Sequence, residues 1–132
     1  MNINEIRILD IQPSQFYISE KKIDMIKRWF NPYDLSNFEP IPIKDLNGAL
    51  IFTDGHTRAY VAYQAGLSQV PLIWDDDELD WQAYQICVSA CKKRGIKSIA
   101  DLGGRILSHR QYIEKWDGWC DVMHEILELQ TL

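Results

Sequence analysis

Apolar residues near the start of the chain are spaced as in a short strand. Ile6, Ile8 and Ile11 stand in an apolar stretch that ends at the Gln-Pro-Ser segment of residues 12–14, where proline and serine favour a turn. We predict a first strand across these isoleucines, followed by a short extended piece over residues 15–18.

The next apolar residues recur at the spacing of an α-helix. They are Ile23, Ile26 and either Trp29 or Phe30. Ser19 is a favourable N-cap for this helix, and Glu20 places a negative charge in the first turn, where it meets the positive end of the helix dipole. Asn31-Pro32 stops the pattern, so we predict a helix of about three turns.

A strand-turn-strand pattern occupies the middle of the chain. Residues 41–43 and 49–53 are apolar runs on either side of Asn47-Gly48, a pair that favours a tight hairpin turn. Residues 56–65 predict a helix, and residues 70–74 predict another strand. Because 16 residues separate the last two strands, we expect a helical crossover that makes them parallel, in a right-handed unit.

The remainder of the chain has mostly helical patterns. Residues 80–94 carry an apolar stripe and end in basic residues before a glycine, and residues 98–102 fit a short helix. Ser108 fits the N-cap of a last helix. The apolar positions of that helix are Tyr112, Trp116, Trp119 or Cys120, Met123 and Leu127.

The length of the chain suits one folded domain. A chain of 132 residues can bury one core, and its 46% hydrophobic and 25% charged residues are ordinary for a globular protein. We therefore expect a single α+β domain over residues 1–132. Residues 1–75 would form its core, and residues 76–132 would form a helical extension packed on that core.

The charge balance limits the classes of partner. A net charge of -5 and a pI near 5.1 argue against a surface that neutralises many phosphates, so they disfavour a nucleic-acid partner. No basic segment precedes an apolar core at the N-terminus, and no stretch approaches the roughly 18 apolar residues of a membrane span. We expect a cytoplasmic protein without membrane contact. Its three cysteines lack CxxC spacing and suit apolar packing.

The segment FTDGHTRAYVAYQAGL, residues 52–67, gathers polar groups at a strand-to-helix junction. Gly55 permits a positive φ angle or a close approach of the backbone, and the first amides of the following helix have no partners within the helix. Such amides bind anions, and Arg58 adds a planar fork that can hold two oxygens. Thr57 offers a hydroxyl, and His56 offers a group that titrates near neutral pH. The junction therefore predicts a phosphate site.

A purely structural role fits the same residues. Asp54 would cap the helix, Gly55 would make the turn, and the side chains of residues 56–58 would face solvent. The local pattern leaves both interpretations open.

Three motifs between about Ile8 and Trp74 extend this picture: PIPI before the Asn-Gly turn, DGHTRA after the second strand, and GLSQVPLIW. Together they resemble the ParB/sulfiredoxin-like superfamily, most specifically over residues 54–74. The resemblance implies a small mixed sheet with helices packed around it and a loop that binds nucleotide phosphates. The reactive cysteine of sulfiredoxins falls where His56 stands, and ParB partition proteins carry paired arginines where this chain has the single Arg58. Neither of those activities is expected.

The loop over residues 54–58 is most similar to that of the free-serine kinases of this superfamily. The similarity implies ATP or ADP with Mg²⁺ on the loop, and a glutamate near the first helix that activates the hydroxyl of a small-molecule substrate. Glu20 is the matching residue, although an acidic residue at a helix start needs no catalytic role. Asp54 is a second candidate base, and His56 a candidate proton shuttle.

Carboxylates near the loop are candidate ligands for the metal. Asp54 can help to hold Mg²⁺, and Asp75 and Asp77 directly follow the strand predicted over residues 70–74. A parallel crossover would place the end of that strand beside the end of strand 49–53. In the alternative interpretation, the acidic run is a solvated lead-in to the next helix.

The sequence thus predicts a nucleotide-dependent kinase that acts on a small-molecule hydroxyl, such as that of a free amino acid. The alternative is a non-catalytic module that uses the same loop to sense a nucleotide or another phosphate. DNA binding is a weaker third hypothesis, because of the acidic charge balance. An exposed Trp116 or Trp119 would mark a homodimer surface.

Overall fold

The N-terminal segment forms helical turns instead of a strand. The computed structural model describes residues 2–132, and 3₁₀ helices span Ile3–Glu5 and Ile8–Asp10. The strand predicted over Ile6, Ile8 and Ile11 is therefore wrong, although all three side chains are buried. A 3₁₀ helix repeats every three residues, so Ile8 and Ile11 reach the same side without an extended backbone.

A short strand and a helix follow this segment. β1 spans Ile18–Ser19, and α1 spans Glu20–Lys27. The hydroxyl oxygen of Ser19 accepts a hydrogen bond from the backbone N–H of Lys22, so the predicted N-cap is confirmed. With eight residues, α1 has about two turns instead of the predicted three.

A hairpin forms the centre of the larger sheet. β2 spans Ile41–Leu46 and β3 spans Ala49–Phe52, and the two strands pair in antiparallel fashion. Asn47 and Gly48 both have positive φ angles, of 55° and 89°, as a two-residue turn of this kind requires. The predicted hairpin is confirmed.

The third strand of this sheet lies on the other side of β2. α2 spans His56–Gln64, and β4 spans Leu72–Trp74 and pairs with β2 in parallel. The strand order is β3-β2-β4, so β3 and β4 run in opposite directions and are not neighbours. The right-handed parallel unit predicted between them is therefore wrong. Because the tight turn makes β3 pair with one edge of β2, only the other edge of β2 is free to pair with β4.

The C-terminal segment combines helices with one short strand. Its elements are α3 (Trp81–Lys93), a 3₁₀ helix (Ile99–Gly104), β5 (Ile106–Leu107), α4 (His109–Tyr112), a π-helical turn (Ile113–Asp117) and α5 (Gly118–Gln130). β5 pairs in parallel with β1. The pattern of apolar residues did not predict β5. The Nε2 amide of Gln12 also donates to the carbonyl oxygen of Ile96. The segment after residue 75 is thus tied to the first quarter of the chain by backbone and side-chain hydrogen bonds.

One cluster of buried apolar side chains includes residues from both sheets and from the C-terminal helices. Trp116 is only 8% exposed and belongs to this cluster, so it is not an exposed tryptophan that could mark a dimer surface. Trp119 is partly buried against the cluster. The protein has a mixed α+β fold with sheets of two and three strands. Across residues 2–132, each helix is too short or too polar to span a lipid bilayer.

Candidate functional site

The junction between β3 and α2 has a backbone conformation that requires glycine. Gly55 is the N-cap of α2, with a φ angle of 73° in the left-handed region. A Cβ atom on Gly55 would lie 2.8 Å from Nη2 of Arg58 and 3.1 Å from Cγ2 of Ile41. The absence of a side chain therefore lets the guanidinium of Arg58 lie directly against the turn, beside the first amides of α2.

A cleft of about 370 Å³ lies between this junction and α1. We call it the loop cleft. Its lining comprises Gln15, Lys22, Met25, Ile26, Trp29, Glu39, residues 54–58 and Tyr112. The α1 side of the cleft is largely apolar, because Met25, Ile26 and Trp29 recur at helical spacing. The loop cleft thus combines the helix amides and the guanidinium of Arg58 on one side with a largely apolar wall on the other.

Arg58 is held at the edge of the loop cleft. Its side chain is 16% exposed, and Nη1 donates a hydrogen bond of 2.6 Å to the carbonyl oxygen of Glu39. The carboxylate of Glu39 is 3.9 Å from the same nitrogen and is itself 86% exposed, so this ion pair is weak. A guanidinium has five N–H donors, which leaves it able to bind an anion in the cleft while it keeps the bond to Glu39.

Lys22 supplies a second cation, which the sequence analysis missed. Its ammonium group lies 4.7 Å from the centre of the Tyr112 ring and 3.3 Å from the Tyr112 hydroxyl oxygen. Helical spacing could have indicated that Lys22 lies on the same face as the apolar wall, because Lys22 is three residues before Met25 and seven before Trp29. The cleft therefore has cationic groups from two separate elements, α1 and α2.

His56 is buried and electrically neutral. The residue is 4% exposed, and Nε2 accepts a hydrogen bond of 2.9 Å from the backbone N–H of Ser14. Burial lowers the pKa of His56 to about 4, although the nearby carboxylate of Asp54 partly opposes the shift. The imidazole is therefore uncharged at neutral pH, whereas the sequence analysis expected a group that titrates near neutral pH. As the first residue of α2, His56 also carries one of the backbone amides at the helix start.

Thr57 and Asp54 occupy opposite environments at the same junction. Thr57 is 8% exposed and lines the loop cleft with His56. Asp54 is exposed at the mouth of the cleft, immediately before the glycine. The junction therefore brings Asp54, Gly55, Thr57 and Arg58 together around one opening, as the sequence analysis expected.

Glu20 does not line the loop cleft. It is exposed at the start of α1 and borders a separate depression together with Ser108 and His109. Residues two apart on a helix are related by about 200° of rotation about the helix axis, so they lie on nearly opposite faces. Lys22 therefore faces the cleft, and Glu20 does not. Glu20, one of three residues with a predicted catalytic role, therefore borders a different depression from the one that residues 54–58 line.

The acidic run after β4 lies close to the junction, although β3 and β4 are not the parallel neighbours that the sequence predicted. Oγ1 of Thr53 donates a hydrogen bond of 2.6 Å to Oδ2 of Asp75, and Oδ1 of Asp75 accepts from the backbone N–H of Asp77. The approach occurs because both Phe52 and Trp74 pair with Ile43, although β3 and β4 run in opposite directions.

These carboxylates do not form a metal site made of protein ligands alone. Asp54, Asp75 and Asp77 border one open depression. In the part of the chain from residue 2 onward, however, no three His, Cys, Asp or Glu side chains are grouped so that they could hold a metal ion. Mg²⁺ commonly takes one or two carboxylates and completes its shell with phosphate and water, so Asp54 suits a metal that arrives with a phosphate ligand.

Comparison with known proteins identifies no relative of this chain. A scan against protein-family models finds no match, and searches of curated proteins and of solved structures also find none.

Proposed function

We propose that the loop cleft binds the phosphate groups of a nucleotide. The observation that carries the proposal is the contact between Gly55 and Arg58, which places a guanidinium beside unpaired amides at the start of α2. Amides at a helix start and an arginine fork are complementary to phosphate oxygens. Lys22 adds positive charge from the opposite wall, and the apolar wall around Trp29 suits the base of the nucleotide.

The resemblance to the ParB/sulfiredoxin-like superfamily supports the same proposal. That superfamily binds nucleotide phosphates at a strand-to-helix junction, and the DGHTRA motif of this chain lies at such a junction. We propose a ParB/sulfiredoxin-like arrangement for the α+β fold and ATP or ADP as the ligand. Asp54 would hold an accompanying Mg²⁺ together with the phosphates.

A binding or sensing role is favoured over catalysis by the position of Glu20. Phosphoryl transfer to a hydroxyl requires a base within hydrogen-bond reach of that hydroxyl, and Glu20 borders a different depression. A small-molecule kinase is the second candidate, because the exposed carboxylate of Asp54 lies at the mouth of the loop cleft. In that case Asp54, and not Glu20, would accept the proton of the substrate hydroxyl.

Calorimetric titration with ADP and MgCl₂ tests binding. We expect saturable binding by the wild-type protein and at least about tenfold weaker binding by Arg58→Ala, because a charge-assisted phosphate contact is lost. Arg110→Ala is the matched control: Arg110 lies on α4, is 90% exposed at its side chain and does not line the cleft. Equal affinity of wild type and Arg58→Ala would contradict the proposal.

A transfer assay separates the two candidates. The protein is incubated with ATP, MgCl₂ and free serine, and phosphoserine is measured by mass spectrometry. A kinase that uses Asp54 would lose transfer in Asp54→Asn and keep it in Glu20→Gln. Binding of ADP without any transfer would support the sensing role, and loss of transfer in Glu20→Gln alone would contradict the assignment of the base made here.

A further inference from the structure

The hydroxyl group of Tyr112 lies between two side chains that only donate to it. The Nε2 amide of Gln15 is 3.0 Å from the hydroxyl oxygen, and the ammonium group of Lys22 is 3.3 Å from it. An ammonium group has no lone pair to offer, so the hydroxyl oxygen is the acceptor in that contact. The orientation of the Gln15 amide is also fixed, because Nε2 donates over 2.7 Å to the carbonyl oxygen of Tyr17, which can only accept.

The proton of the Tyr112 hydroxyl therefore has no acceptor among residues 2–132. Burial raises the pKa of Tyr112, and the positive charge of Lys22 only partly opposes the shift, so the hydroxyl keeps its proton at neutral pH. Polar groups that are withdrawn from water are stabilised by a hydrogen-bond partner, and most of them have one in folded proteins. This donor is thus free to bind an acceptor that is not part of the chain.

The positive charge of Lys22 is not neutralised by the chain. None of the ion pairs formed by residues 2–132 includes Lys22. The two acidic residues that line the loop cleft belong to the wall that carries Arg58: Glu39 lies 3.9 Å from that guanidinium, and Asp54 precedes the start of α2. An ammonium group has three N–H donors, of which Tyr112 uses one, so two remain for a ligand.

These two donors meet at the edge of the loop cleft. Tyr112, Lys22 and Gln15 all line the cleft, and they come from α4, from α1 and from the segment before β1. Lys22 is an exposed residue, so its contact with the hydroxyl oxygen places that end of the Tyr112 ring beside the cleft. One helical turn after Lys22, the apolar side chain of Met25 is 52% exposed and lines the same cleft. We call the two donors the Tyr112–Lys22 pair.

We propose that the Tyr112–Lys22 pair binds the carboxylate of a small monocarboxylic acid. The carboxylate oxygens accept hydrogen bonds from the hydroxyl of Tyr112 and from the ammonium group of Lys22, which are 3.3 Å apart. One unpaired positive charge matches one negative charge, and the apolar body of the acid packs against Met25. This site is separate from the one proposed for the nucleotide phosphates, which uses Arg58 and the first amides of α2.

Butyrate and its uncharged isostere, butyramide, test the assignment without any nucleotide. Each compound is titrated into the ¹⁵N-labelled protein in the millimolar range, and the side-chain NH₂ resonances of Gln15 are followed by NMR, because this group contacts the Tyr112 hydroxyl. We expect a saturable shift with butyrate and at least about tenfold weaker binding of butyramide, which lacks the charge. The absence of a saturable shift with butyrate, or equal affinity for both compounds, would overturn the proposal.

A matched pair of lysine variants locates the bound carboxylate. Lys22→Gln should weaken butyrate binding at least about fivefold, whereas Lys21→Gln should stay within about twofold of wild type. Lys21 is the preceding residue of α1, and it borders the depression that contains Glu20 instead of the loop cleft. Unchanged binding in Lys22→Gln would contradict the location. Equal weakening in both variants would also contradict it, because it would show only a general attraction of anions.

Tyr112→Phe tests the hydroxyl while it keeps the buried ring. Butyrate binding should weaken at least about threefold, and Tyr63→Phe is the control, because Tyr63 lies on α2 and does not line the cleft. Binding of wild-type strength in a folded Tyr112→Phe protein would contradict the role of the hydroxyl. If that variant does not fold, the exposed Lys22 position still decides the proposal.

The phosphates of the nucleotide are the other oxyanions that could reach this pair. The butyrate titration is therefore repeated with ADP and MgCl₂ present. The proposal predicts that the affinity for butyrate stays within about threefold of its value without nucleotide. An apparent dissociation constant for butyrate that rises in proportion to the ADP concentration would assign the pair to the phosphates and overturn the proposal. ADP that fails to bind would contradict the nucleotide site alone, because the first titration contains no nucleotide.

Discussion

Nη1 of Arg58 donates a hydrogen bond of 2.6 Å to the carbonyl oxygen of Glu39, while Nη2 of the same group lies against Gly55. The segment before β2 and the start of α2 thus fix one guanidinium from two sides. The fixed position costs a ligand less conformational entropy than a freely rotating arginine would. This arrangement supports the proposed phosphate site in an otherwise acidic protein.

Replacement of Gly55 by alanine should destabilise the protein by about 2 kcal/mol, because the left-handed backbone is strained by a Cβ atom and Arg58 must move. Urea denaturation measures the free energy of unfolding. Gly104→Ala is the control, since a Cβ atom there has no heavy atom within 4 Å. Equal stability of Gly55→Ala and wild type would contradict the backbone geometry of the junction.

Removal of the negative charge of Glu39 should strengthen nucleotide binding by about two- to fivefold, because its exposed carboxylate competes for Arg58. The variant is Glu39→Gln, which keeps the backbone carbonyl that Arg58 uses. Calorimetry with ADP measures the effect, and Glu128→Gln, an exposed acid of α5, controls for the change in net charge. Weaker binding by Glu39→Gln would show that the carboxylate helps instead of competing.

The neutral state of His56 should make the stability of the protein depend on pH. In the unfolded chain the imidazole binds a proton below about pH 6.5, whereas in the folded protein it does so only near pH 4. Stability should therefore fall as the pH decreases through this window, by up to about 3 kcal/mol from this group. Urea denaturation from pH 7 to pH 4 measures the trend.

His56→Gln isolates the contribution of the imidazole, because the carboxylates titrate in both proteins and cancel in the comparison. The stability of the variant should change less between pH 6.5 and pH 4 than that of wild type. An identical pH dependence in the two folded proteins would contradict the assignment of a buried neutral histidine.

The two cysteines of α3 should resist alkylation in the folded protein. Cys87 and Cys91 are buried, and burial raises the pKa of each thiol to about 12. Mass spectrometry after treatment with iodoacetamide at pH 8 should find neither residue modified without urea and both modified in urea. Modification of Cys91 at the same rate with and without urea would contradict the packing of α3.

Local signals predicted the hairpin well and the N-terminal segment poorly. Asn47-Gly48 determines its turn by backbone preference alone, and Ser19 caps α1 by a contact three residues away. The spacing of Ile6, Ile8 and Ile11 fits either a strand or 3₁₀ turns, and tertiary packing decides between them. The direction of β4 also depends on which edge of β2 is free, which no local pattern contains.

The candidate site was also predictable only where it depends on neighbouring residues in the sequence. Residues 54–58 were found because they are consecutive and follow a strand. Lys22 was missed and Glu20 was chosen, because the choice between them depends on how α1 is rotated against the loop. The burial of His56 depends on segments distant in sequence, such as the one that contains Ser14, so its neutral state appears only in the folded structure.

The most direct test of the phosphate site is an NMR titration of the backbone amides with ADP and MgCl₂. The account predicts saturable shifts of the amide resonances of Gly55, His56 and Thr57, with the same dissociation constant for all three, and much smaller shifts in α5. Saturable shifts that are confined to residues outside the loop cleft, or no shifts at all, would contradict it.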